Sequence, residues 1–185
     1  MADILNNMIP VKRAGRQTVL FSNPPAIISS ATVVGPMEGK GPLGPYFDMV
    51  LKDDTWGEDS WEKAERKMFE HTVREAMDKV NLQSGGVDCL LGGDLLNQII
   101  SANFAARELK LPFLGLYGAC STMAESLLIG SMLIDGGYAG RVACIATSHF
   151  STAERQYRNP LEMGGQTTPT AQRTVTGAGC SIAAN

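Results

Sequence analysis

The sequence predicts an α/β fold built on a mainly parallel sheet, and three observations carry that reading. Short apolar or β-branched runs stand at 26–34, 87–93, 112–118 and 141–148. Stretches of helical period separate the later ones, at 59–81, 101–109 and 121–135, and Gly or Pro marks most of the joints. Strands alternating with helices imply right-handed crossovers, which lay successive strands side by side and parallel. With 185 residues and 44% hydrophobic content, the chain can bury one sizeable core.

Each element follows from its residues. Residues 1–25 are polar and end in Asn23-Pro24-Pro25, which favours an extended entry and cannot continue a helix; they read as an amino-terminal arm, with 26–185 as the folded unit. The run AIISSATVV at 26–34 is small and β-branched, as a buried strand requires. Residues 35–44 hold four glycines and two prolines in ten positions, so they form a loop, long enough to cover a site. Asp59 and Glu62 have the spacing of a helix N-cap and its third residue, and Trp61, Ala64, Met68, Ala76 and Val80 recur on one face up to about Asn81. VDCLLGG at 87–93 reads as a strand. The following helix places Ala102, Ala105, Ala106 and Leu109 together. Another short strand at 112–118 leads into a helix over 121–135 that Gly136 and Gly137 stop, and RVACIATS at 141–148 is the next strand. Residues 151–170 are polar and contain Pro and Gly, and 172–184 reads as a last strand.

Composition excludes several classes. The formal net charge is −3 and no run of Lys and Arg forms a stripe, so nothing supplies the phosphate-neutralising surface that nucleic acid needs. Cys89, Cys120, Cys144 and Cys180 are widely spaced and form no CxxC pair that would suggest a zinc or redox site. The start lacks the apolar stretch of a signal peptide, and no window approaches the roughly 18 apolar residues of a membrane span. A soluble protein, able to dock on a membrane complex, is expected. Neither the 35–44 loop nor Gly177-Ala178-Gly179 fits a nucleotide-binding pattern, and no cofactor is expected.

In a parallel sheet the carboxyl ends of the strands share one edge, and ligands bind along it. Asp94, Cys120 and His149 each follow a strand-like run and so collect there. Cys120 lies in Gly118-Ala119-Cys120-Ser121-Thr122, with small residues before the thiol and a helix after it. That geometry resembles a nucleophile elbow, in which the helix start stabilises a thiolate and offers an oxyanion hole. The alternative is a cysteine buried as a small hydrophobe. Asp94 is either a turn or N-cap carboxylate or a group facing a ligand or cation. Asn97 either orients a polar ligand or satisfies loop backbone. His149 is a proton carrier or a hydrogen-bonded structural group. His71, alone on the long helix, has no role.

The segments SSATVVGPMEGKGPLGPYFD, GGDLLNQI, LYGACSTMAESL, IDGGYA, ATSHFSTAERQYRNPLEMGGQ and TAQRTVTGAG together resemble the stage V sporulation protein AD family of endospore-forming bacteria. The likeness runs from the first strand to the last residue. It implies membership of the thiolase and ketosynthase superfamily, whose fold contains two similar βαβαβαββ halves; this chain has the elements of the first. It further implies a sporulation role by binding: a soluble subunit of a membrane channel complex that takes dipicolinic acid, free or as its calcium chelate, into the forespore. Its partners would be the other membrane subunits and a second copy of itself. Its place would be the cytoplasm or the periphery of the spore inner membrane.

Cys120 matches the position of the superfamily's nucleophile. The enzymes take a His and a second His, Asn or Cys from their second half, so acyl transfer by this chain alone is expected to fail, and His149 does not match the catalytic histidine. The expected ligand residues are Cys120, Asp94, His149, Asn97, Gly118 and Ser121, with one carboxylate at the helix start near Cys120. An isolated half would also expose an apolar face. Two other readings stand beside this one: an acyltransferase working through a Cys120 thioester, and a structural assembly subunit or incomplete fragment.

Overall fold

The computed structural model describes residues 12–83, 85–96, 99–157, 168, 170 and 172–185. Within the segment read as an arm, β1 (Arg13–Ala14) and β2 (Thr18–Val19) pair as a small antiparallel hairpin. Lys12 ties this hairpin to Asp135 at 2.5 Å. The strand read at 26–34 is β3 (Ala26–Val34). The loop after it contains one helical turn, α1 (Pro36–Gly39), and a 3-10 turn at Gly44–Tyr46, and then leads into a two-residue strand, β4 (Met49–Val50). The remaining elements are α2 (Trp61–Asp78), β5 (Cys89–Asp94), α3 (Ile100–Leu109), β6 (Phe113–Gly115), α4 (Thr122–Asp135), β7 (Arg141–Ser148), α5 (Phe150–Tyr157) and β8 (Gly177–Ala184).

Six strands form one sheet in the order β4-β3-β8-β7-β5-β6. β3 and β4 run parallel, as do β7, β5 and β6, while β8 lies antiparallel between β3 and β7. The sheet is therefore mainly parallel with one reversed strand at its centre. That reversal brings the start of β8 to the edge where the other strands end. Val34, Gly177 and Ser148 lie abreast there, and so do Thr32, Gly179 and Ala146 two residues deeper.

Both faces of the sheet are covered over β5 and β7, as the apolar character of those strands demands. Alternation sorts their side chains. Leu90, Ala143, Ile145 and Ile182 point to one side and pack under α2 and α3, against Phe69, Val73, Ala76, Ala102, Ala105 and Leu109. Leu91, Val142, Cys144 and Ala183 point to the other side and pack under α4 with Ile134. A bulge between Ile27 and Ser29 turns the Ser29 hydroxyl onto the Ala76 carbonyl at 2.7 Å.

Three sequence expectations need correction here. The cap of α2 is Ser60, whose Oγ accepts from the Lys63 amide at 3.2 Å, whereas Asp59 pairs with the Lys63 side chain at 2.7 Å. Serine at the extended position stands closer to the free amides than an acid one residue earlier. The polar stretch at 151–170, to which the sequence assigns no element, begins with a helix, α5; residues 158–167 lie outside the described set. The last strand starts at Gly177 rather than 172.

Candidate functional site

The sheet edge predicted to hold a site does hold a cleft, of about 700 Å³, between the ends of β3 and β7, the start of β8 and the turn before α4. Its floor is nearly free of side chains because Gly177, Gly179 and Ala146 face it. A Cβ added at Gly179 would meet no atom within 4 Å, so the space above that strand is open. Val34, Phe47 and Leu95 give the walls their apolar character, and Arg173 and Tyr157 stand among the polar members.

Cys120 is exposed and lines this cleft. It sits in a 3-10 turn, Ala119–Ser121, that runs directly into α4. Ala119 takes φ 49°, a left-handed conformation that costs a residue with a Cβ and turns the chain sharply before the thiol. A sharp turn of small residues thus precedes the thiol. Gly118 and Ser121 flank it. The Gly118 amide donates to Thr122 Oγ1 at 3.1 Å, and Ser121 Oγ bonds the Gly118 carbonyl at 2.8 Å and Glu125 Oε1 at 2.5 Å. A Cβ on Gly118 would lie 2.0 Å from Glu125 Oε1, so glycine there lets the acid fold back over the helix start.

Asp94 and His149 do not join Cys120 in the cleft. Asp94 is buried at the end of β5 and accepts from the amides of Leu96 at 3.1 Å and Ala102 at 2.9 Å. It caps α3 from across the loop, where the nominal cap, Ile99, offers no side-chain acceptor. Burial raises its pKa, and the bonds from Ala102, Leu96 and Ser101 offset part of that rise. His149 is fully buried; its Nε2 donates to the Asp54 carbonyl at 2.7 Å while Nδ1 accepts from the Ser151 amide at 3.2 Å. Its ring stacks on Trp61, 6.4 Å between centroids, and burial lowers its pKa, which keeps it neutral. The plain alternatives weighed for both residues are the ones the structure adopts. Asn97 lies outside the described residues.

Sequence reasoning missed two features. Glu65 of α2 is fully buried behind the edge, accepting from Thr147 Oγ1 at 3.0 Å and Thr152 Oγ1 at 3.4 Å. Burial first, and the neighbouring Asp94 second, push its pKa up to about 8, so it carries a proton at neutral pH. The other is the aromatic and cationic rim. Tyr157 donates its hydroxyl to the Leu95 carbonyl at 2.7 Å and stands 2.7 Å from the Tyr117 hydroxyl. Arg173 rests on the Phe150 ring, 4.1 Å from its centroid.

A mixed sheet with helices on both faces, and a cysteine elbow at its edge leading into a central helix, define a thiolase-like α/β protein. Solved structures bear out the fold. A 3-oxoacyl-[acyl-carrier-protein] synthase III from Aquifex aeolicus VF5 superposes with a TM-score of 0.59 at 18% identity, over 87% of this chain and 54% of its own. A variant of OleA from Xanthomonas campestris gives 0.61 at 14% identity, over 89% and 57%. Residues 15–185 match the family described as Stage V sporulation protein AD (SpoVAD). The stage V sporulation protein AD of Bacillus subtilis (strain 168) is 46% identical over 172 residues, which are 93% of this chain and 51% of that protein. The chain belongs to the stage V sporulation protein AD family, and it spans about half the length of that relative.

Proposed function

We propose that this protein serves sporulation as a non-catalytic binding subunit that holds dipicolinic acid, free or as its calcium chelate, in the cleft beside Cys120. On this reading it delivers the ligand to a membrane channel complex feeding the forespore. Family membership supports the sporulation role. Among the described residues no helix is long and apolar enough to cross a membrane. The observation that carries binding over catalysis is the company of the thiol. Acyl transfer through cysteine needs a base within hydrogen-bond reach. The chain's two histidines, His71 and His149, are both absent from the cleft wall, and none of its described lining residues is acidic. The cleft volume falls inside the range of small-molecule sites, about 300–1,000 Å³. A flat glycine floor under apolar walls suits a planar pyridine ring.

One observation favours a second reading. An exposed thiol behind a strained residue at a helix start is how a nucleophile is presented, so an acyltransferase remains the competing class.

The deciding experiment is titration calorimetry with dipicolinate on the 185-residue chain and on a form extended by a family-type second half. Saturable binding is expected, and Gly179→Val should abolish it, because the added side chain enters the open space over the floor while a strand accommodates valine. Binding by neither form, or binding untouched by Gly179→Val, would remove the ligand from this cleft. The same samples exposed to an acyl-thioester should keep their intact mass; an acyl adduct that Cys120→Ala abolishes would replace the binding role with catalysis.

A further inference from the structure

The polar groups of the cleft wall are nearly all engaged elsewhere. Of its five described hydroxyl side chains, Thr32 bonds Asp48 at 3.1 Å, Thr147 bonds Glu65 at 3.0 Å and Thr174 bonds Glu154 at 3.3 Å. Ser148 bonds the Val175 carbonyl, and Tyr157 bonds the Leu95 carbonyl. Two side chains of the described lining remain to donate to a ligand's acceptor atoms, the Cys120 thiol and the Arg173 guanidinium.

Arg173 is the charged member of the described lining, and among the described residues no carboxylate lies within ion-pairing distance of it. Its guanidinium carbon lies 4.1 Å from the centroid of the Phe150 ring, a cation–π contact. The guanidinium carries five N–H donors in a planar fork, so a single ring contact restrains it and leaves donors for a ligand. This is the arrangement that receives a carboxylate through two parallel hydrogen bonds. The helix start near Cys120, the place first expected for a carboxylate, already faces an anion of the protein itself. Glu125 folds back onto Ser121 there, and a second negative group would be repelled.

We infer that Arg173 is the anion-recognising residue of this cleft: it takes a carboxylate of a flat ligand whose ring lies on the Gly177 and Gly179 floor. The ligand class is then a planar aromatic acid. This inference rests on the cleft being the dipicolinate site and assigns the contact that selects the ligand's charge.

Calorimetry on the form that binds tests it, using wild type, Arg173→Lys and Arg173→Gln with two probes, dipicolinate and its uncharged diamide. Arg173→Gln should weaken dipicolinate about 10- to 100-fold, the loss typical of charge-assisted bonds, and leave the diamide unchanged. Arg173→Lys should fall between, since an ammonium keeps the charge but not the fork. Thermal unfolding midpoints should match, because the side chain is exposed. Dipicolinate bound by Arg173→Gln within twofold of wild type would overturn the inference and leave the cleft reading standing. Equal weakening of both probes would also overturn it, by making Arg173 a packing residue. No dipicolinate binding by wild type would overturn the cleft reading itself.

Discussion

At the residue scale, Glu65 is the most consequential side chain outside the cleft wall. A carboxyl that is fully buried keeps its proton because the charged form would lose its hydration, and Asp94 nearby adds to the cost. Its folded pKa, about 8, stands above the ordinary 4.5. The folded state therefore holds a proton that the unfolded chain releases between those values, and stability is full below about 4.5 and declines as pH rises toward about 8. The slope from this one group is about 1.4 kcal/mol per pH unit. Glu65→Gln keeps both threonine contacts without a titratable proton. Urea unfolding at pH 5, 6, 7 and 8 should show wild type losing stability relative to the variant at each step; a constant difference would mean that Glu65 is ionised throughout. The residue was legible in the sequence, since Trp61, Glu65, Met68, Thr72 and Ala76 share one helical face, and an acid on an apolar stripe marks a buried polar contact. Its partners were not legible, because Thr147 and Thr152 come from strands and helices whose docking no local pattern encodes.

At the element scale, α4 decides where Cys120 sits. The helix buries Thr122, Ser126, Gly130 and Ile134, spaced by four, so its small residues face the sheet. Gly130 allows the closest approach: a Cβ there would stand 3.1 Å from Cys144 Sγ and 3.2 Å from Val142 Cγ1. Cys144 in turn donates to the Ser126 carbonyl at 3.2 Å, which pins the helix to β7. Gly130→Leu should lift α4 from the sheet and cost about 1–3 kcal/mol by overpacking, despite leucine's better helix propensity. Denaturant titration reads the loss, and dipicolinate affinity should fall with it because the Cys120 turn moves. Unchanged stability would mean that α4 is seated by other contacts. Sequence reading placed this helix, β3 and β7 closely, where apolar period and glycine stops agree. It missed α5, whose helical turn is short and precedes residues rich in Gly and Pro, and it missed the direction of β8. Strand direction is set by the path of the connection, not by the strand's own residues. That is why Arg173, just ahead of β8, did not register as a neighbour of Cys120.

At the scale of the whole molecule, α4 keeps apolar surface on its outer side as well as against the sheet. Leu128 and Met132 are 50% and 40% exposed on its outer side, while Met123, Leu127, Ile129 and Leu133 pack in part against the core beneath it. Its described sequence carries charge only at Glu125 and Asp135. Ile27 and Ile28 of β3 are exposed as well, at 59% and 40%. Apolar surface of this kind lowers its free energy by being covered, at roughly 25 cal/mol per Å² removed from water. The 185-residue chain is therefore expected to self-associate, with a light-scattering mass above that of one chain at micromolar concentration. Placing charge on the outward stripe of α4, by Leu128→Glu with Met132→Glu, should return the mass to that of a monomer. Neither side chain reaches the core beneath α4, so the unfolding midpoint should stay near that of wild type. A monomer before substitution would show that this face is tolerated in water. An oligomer that persists after it would place the contact elsewhere, with the exposed isoleucines of β3 as the next surface to charge.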